Sequence, residues 1–71
     1  NPASDQINLE ILNPDKKKLL VSIFHVTGHL VYAESLEEAA HITRNIKLPS
    51  GIYQVVLRDC FDHITLKAIV N

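Results

Sequence analysis

The chain has 71 residues, 46% hydrophobic and 21% charged, with seven Lys and Arg against eight Asp and Glu for a formal net charge of −1. That length holds one domain, residues 1–71, which buries only about 60% of the surface its unfolded chain exposes, leaving no room for a deep catalytic cleft. The balanced charge lacks the basic footprint of a nucleic-acid binder, no run approaches the roughly 18 apolar residues of a membrane span, and a lone cysteine, Cys60, rules out an internal disulfide.

Val, Ile, Thr, Tyr and Phe fall in short runs broken by Asn-Pro, Thr-Gly and Pro-Ser-Gly, the punctuation of an all-β chain. Over Gln6 to Leu12, Ile7, Leu9 and Ile11 alternate with Asn8 and Glu10, which predicts a strand with one apolar face. Asn13-Pro14-Asp15-Lys16 reads as a turn, because proline removes a ladder donor while Asn and Asp bond their own backbone. The run Leu19 to Val26 has Leu20, Phe24 and Val26 on one side and Leu19, Val21, Ile23 and His25 on the other. Apolar residues on both faces predict a central strand covered on both sides. Thr27-Gly28 then turns the chain into a strand over His29 to Ser35, and so short a connection predicts a hairpin.

From Ser35 to Ile42 the signals conflict. Ser35 with Glu38 three residues on has the capping-box spacing that starts helices. Ile42-Thr43-Arg44-Asn45-Ile46 is β-branched, and a lone two-turn helix is marginal without a packing partner. A helical turn at residues 36–40 and a strand around His41 to Arg44 both stay open. Next, Leu48-Pro49-Ser50-Gly51 joins a turn signal to a strand, since Pro49 presets φ and Gly51 accepts positive φ before the β-rich run Tyr53 to Arg58. Gly28 and Gly51 are the only glycines, and each stands where a turn would call for positive φ. After a turn at Asp59 to Asp62, a last strand runs from His63 to Val70, where Ile64, Leu66 and Ala68 alternate with Thr65, Lys67 and Ile69.

No residue set here points to catalysis, to a cofactor or to a metal. His25, His29, His41 and His63 show none of the close ligand pairs of zinc sites, and His25 and His29 are notable only for straddling one turn. Asp59, Cys60 and His63 make a superficial nucleophile cluster, yet a turn between two strands offers neither a buried pocket nor an oxyanion hole. The expectation is a non-enzyme. Lys16-Lys17-Lys18 and Glu37-Glu38 read as solvated connections. Cys60 is expected to be buried, as free cysteines usually are, or else exposed and able to pair between chains. Of Phe24, Tyr32, Tyr53 and Phe61, at least two are expected to be buried.

Four blocks resemble, in order, the C-terminal sorting domains that Bacteroidetes proteins carry for type IX secretion. Asn1-Pro2-Ala3-Ser4-Asp5 is similar to "PNPASD", and Val21 to Tyr32 is similar to "VxIYDxxGxLVY". Leu48 to Leu57 is similar to "LPSGIYxVxL", and Thr65 to Val70 to "TxKxVV". The resemblance spans nearly the whole chain. It implies an immunoglobulin-like β-sandwich of about seven short, mainly antiparallel strands, one of them around His41 to Arg44. Such a domain is a signal that directs a preceding passenger from the periplasm across the outer membrane to the cell surface or medium, and a sortase often removes it.

The implied partners are the translocon, outer-membrane shuttle and sortase proteins, with no cofactor, nucleic acid or direct membrane insertion. Carried over position by position, the recognition residues are Gly28, Leu48, Pro49, Ser50, Gly51, Ile52, Tyr53, Lys67, Ile69 and Val70. The two terminal strands are the expected docking surface, because an edge strand offers unpaired backbone groups to a partner. His25 stands where the family has Asp or Asn, Asp62 where it commonly has Gly, and Cys60 is unusual in the last turn, whose geometry these departures bring into question. The alternative reading is an immunoglobulin-like adhesive, signalling or dimerisation module that pairs through its edge strands into a homodimer.

Overall fold

The computed structural model describes residues 6–15, 17–36 and 40–70. It is all-β, with six antiparallel strands among the described residues rather than about seven. They are β1 (Gln6–Leu12), β2 (Leu19–His25), β3 (Leu30–Leu36), β4 (His41–Lys47), β5 (Gly51–Arg58) and β6 (His63–Val70). A two-stranded sheet, β1-β4, faces a four-stranded sheet in the order β3-β2-β5-β6.

Period-two alternation decides what lies between the sheets. Ile7, Leu9 and Ile11 of β1 pair in register with Ile46, Arg44 and Ile42 of β4, so one face of the smaller sheet is aliphatic except for Arg44, while Asn8, Glu10, Thr43 and Asn45 face water. The larger sheet answers with Val21, Ile23, Leu36, Tyr53, Val55 and Val70. Val21 and Ile23 are completely buried. Every buried side-chain nitrogen and oxygen among the described residues has a partner, as a small core requires. The buried polar side chain of Asn13 shows how: its Nδ2 donates to the Lys17 carbonyl (2.8 Å) and its Oδ1 accepts from the Lys17 N–H (3.2 Å), closing the turn read from the sequence.

Three expectations need correction, and Cys60 takes the second of the two places left open for it. β2 is central in its sheet but covered on one face only: Leu20 is 40% exposed and Phe24 half-buried, because the smaller sheet lies on the opposite face. Gly51 does not have positive φ and is already the first residue of β5, two residues earlier than read. Cys60 is exposed, at the tip of the β5–β6 turn where no core exists to receive it. Of the four aromatics only Tyr53 is buried, and Phe61 is 90% exposed. The open segment resolves as a strand from His41, which pairs with Leu12; Leu36 still belongs to β3, and residues 37–39 of the alternative helical turn lie outside the described residues.

Candidate functional site

The topology gathers most of the sequence-predicted recognition residues at one end of the sandwich. The β2–β3 turn carries Gly28, the β4–β5 connection carries Leu48, Pro49 and Ser50, and β5 starts there with Gly51, Ile52 and Tyr53. Antiparallel pairing brings the far end of the chain to the same place, with Gly51 opposite Val70 and Ile52 opposite Ile69. The Val26 N–H donates to the Ile52 carbonyl (2.9 Å), tying the Gly28 turn to the start of β5. Lys67 sits farther along, opposite Gln54.

His25 and Tyr53 are the hub of this end. Their rings meet edge to face with centroids 5.3 Å apart, and the Tyr53 hydroxyl donates to the Pro49 carbonyl at 2.6 Å, fixing the turn before β5. His25 Nδ1 accepts from the Thr27 N–H at 3.3 Å and lies 3.0 Å from the Thr27 hydroxyl. An aspartate or asparagine oxygen closes a turn by accepting from the N–H two residues on, and His25 Nδ1 does the same here. The Gly28 N–H then donates to the His25 carbonyl at 2.8 Å, and Gly28 takes φ 95°, a conformation that costs side-chain-bearing residues steric strain. Gly51 serves a different purpose from the one expected. A Cβ there would lie 3.3 Å from His25 Nε2, a tight approach, and 3.5 Å from Tyr53, an ordinary contact, so the missing side chain leaves room for the His25 ring.

The recognition residues divide sharply by exposure. Leu48, Tyr53 and Val70 are buried, whereas Gly28, Pro49, Ser50, Ile52, Lys67 and Ile69 are exposed. The first three hold the end together, and the rest form a surface. That surface includes a shallow hollow lined by His29, Val31, Pro49 and Ser50. Sequence reasoning noted His25 only as straddling the turn with His29 and as a departure from the resemblance, although its position two residues before the turn threonine was the available signal.

At the opposite end, the Asp59–Asp62 turn is more regular than its residue types suggested. Asp59 Oδ1 accepts from the N–H groups of Phe61 and Asp62, both at 2.7 Å, and the Asp59 N–H donates to the Asp62 carbonyl at 3.0 Å. These bonds, the Phe61 amide first, hold the Asp59 carboxyl below its ordinary pKa, with Lys17 Nζ at 3.7 Å adding a smaller push. Among the described residues no three His, Cys, Asp or Glu side chains gather closely enough to hold a metal ion.

A family model for the secretion system C-terminal sorting domain matches residues 1–71. The chain belongs to that family. It is a type IX secretion sorting signal of the kind that delivers proteins to the cell surface or medium, and it acts by engaging the secretion machinery; the family is not a catalytic one. No curated protein and no solved structure matches the sorting domain.

Proposed function

We propose that the secretion machinery reads this domain at the end where the Gly28 turn, Leu48 to Tyr53 and Ile69-Val70 meet. The observation behind this reading is their convergence: segments far apart in sequence share one end, and Ile52 and Ile69 pair directly, 39% and 63% exposed, on the outer face of the larger sheet. Exposed aliphatic side chains beside a lysine make a surface for protein recognition, with an apolar contact and a charge that fixes orientation. On this reading Leu48, Tyr53 and Val70 act by position, and Pro49, Ser50, Ile52, Lys67 and Ile69 touch the partner. The domain crosses the periplasm behind its passenger, engages the translocon and its outer-membrane shuttle, and is removed at the surface by a sortase.

The test is delivery of a reporter fused upstream of the domain in a type IX-competent bacterium. Deleting Lys67 to Asn71 would not discriminate, because it removes Val70, only 3% exposed, from the core. Exposed positions keep folding out of the result. Ile52→Ser with Ile69→Ser, and separately Lys67→Ala, should strand a folded reporter in the periplasm, whereas Phe61→Ser at the other end should leave delivery intact. Equal delivery by all of them would sink the reading.

A further inference from the structure

Apart from the outward Lys67, the outer edge of β6 carries, among the described residues, none of the devices that normally protect a sheet edge. Native edges are blunted by charged side chains, above all lysine, and more strongly by inward-pointing charges, prolines, bulges or a covering segment. Along β6 the inward positions are Ile64, Leu66, Ala68 and Val70, there is no proline, and the register with β5 runs without a break from Gly51–Val70 to Arg58–His63. The edge at the other side of the same sheet, β3, has a bulge in its ladder with β2 and an inward Glu34 held by Arg44 of the facing sheet.

Two of the inward side chains of β6, Ile64 and Leu66, are also largely uncovered. Leu66 is paired with Val55 and Ile64 with Leu57, so they face the core side of the sheet. Val55 is 2% exposed, yet one strand farther out Leu66 is 51% and Ile64 60% exposed. The smaller sheet stops short of them. β1, its nearer strand, touches β6, but among the described residues no ladder joins the two and neither has a second partner. Near the start of β6, between the strands, lies a groove of about 250 Å³ lined in part by Ile11, Leu12, Leu57 and Ile64.

We infer that the free edge of β6 is a strand-acceptor site that takes an extended, alternately acidic and apolar segment of a partner protein; this rests on the sorting-signal reading and names its partner's chemistry. A strand added there completes the ladder and lays its inward side chains over Leu66 and Ile64, beside β1. Its outward side chains meet the row His63, Thr65, Lys67 and Ile69. Lys67 is exposed, faces Gln54 across the ladder, and has no carboxylate partner among the described residues. An acidic residue opposite it supplies the missing charge. A second copy of this chain does not: in two-fold pairing of β6 with itself, Lys67 meets Lys67, Thr65, His63 or Ile69, none of them acidic.

The complementary antiparallel strand, from the position opposite Ile69 to that opposite His63, reads Val-Ile-Glu-Val-Thr-Ile-Glu. A fluorescent peptide of that sequence should bind the 71-residue chain and slow exchange of the β6 amides that point away from β5. Replacing both its Glu by Lys should weaken binding about fivefold or more, since opposed like charges replace a favourable pair. Leu66→Lys, at a position already half exposed, should keep the melting temperature and lose binding at least about tenfold. Absence of binding, protection elsewhere than β6, or unchanged affinity of Leu66→Lys would overturn the site; sedimentation showing a β6-dependent dimer of the chain alone would overturn the choice of partner. Export separates the two readings. Delivery that survives Leu66→Lys but fails with Ile69→Ser overturns the acceptor edge and leaves the sorting end standing.

Discussion

The two flanks of this sandwich are built from the same strand chemistry and finished in opposite ways. On the β3–β4 flank, Arg44 Nε donates to both Glu34 oxygens at 3.1 Å and the Tyr32 hydroxyl donates to Glu34 Oε1 at 2.5 Å, bridging the sheets over buried Leu36 and Ile42. On the β1–β6 flank no such bridge exists among the described residues, and Ile64 and Leu66 face inward beneath solvent. A polar side chain at the margin of a small core can close it, because it satisfies a charge while its stem covers apolar surface. An aliphatic side chain at the margin closes nothing until something else arrives. The difference assigns stability to one flank and binding to the other.

The strongest way to break that division is to truncate a leucine on each. Leu36→Ala removes a side chain only 2% exposed and should cost about 2–5 kcal/mol, much of the stability of a domain this size. Leu66→Ala, at 51% exposed, should cost under about 1 kcal/mol. Urea melts of the two variants decide the matter, and comparable losses would mean that β6 is packed in solution as tightly as β3.

Next in size is the polar closure itself. The hydrogen bond from Tyr32, then the contacts with Arg44, outweigh partial burial and lower the Glu34 pKa; the same bond raises that of Tyr32. A depressed carboxyl contributes stability that is present above its unfolded pKa of about 4.3 and lost as pH falls through the lower folded value. A raised phenol contributes stability present below about 10 and lost as pH rises past it. Glu34→Gln should therefore flatten both limbs of the stability profile while costing about 0.5–1 kcal/mol at neutral pH, a modest figure for a pair about one-third exposed. Thermal melts from acid to alkaline pH give the result, and unchanged limbs would remove the bridge from the comparison.

The asymmetry between flanks was only partly legible in the sequence. Alternation placed five strands within a residue or two and gave Gln6–Leu12 and His63–Val70 their bounds, because period-two patterning is local information. The all-β class and the sandwich followed from that patterning and the resemblance together. Alternation reveals neither which face the other sheet covers nor how many strands it has, so Leu20 reads as covered although it lies on the outer face, and the pattern gives no sign that a two-stranded partner leaves Leu66 partly in water. It also could not distinguish a glycine favoured by its positive φ, Gly28, from one whose missing side chain gives room to the His25 ring, Gly51. The gathering of Gly28, Pro49 and Ile69 at one end is a product of topology. Their sequence positions lie in three unrelated segments, and only the β5 pairings with β2 and β6 bring them together.

The smallest effect lies at the tip that feeds the open flank. Asp59 Oδ1 caps the amides of Phe61 and Asp62, so the turn into β6 is pre-organised even though Phe61 projects into water. Asp59→Asn keeps an acceptor and should leave amide exchange at Phe61 and Asp62 near the parent rate, whereas Asp59→Ala should raise both. With its pKa lowered in the fold, Asp59 stabilises the turn above the unfolded value of about 3.9 and releases it as pH falls through the folded one, so the parent should approach the alanine variant in acid. The informative position is Leu66. If its amide exchanges as before in Asp59→Ala, the β6 edge is held by β5 alone and the tip is a local ornament. If its exchange rises with that of Phe61, the turn and the edge open as one unit, and the flank assigned to binding owes its shape to a single carboxylate at its far end.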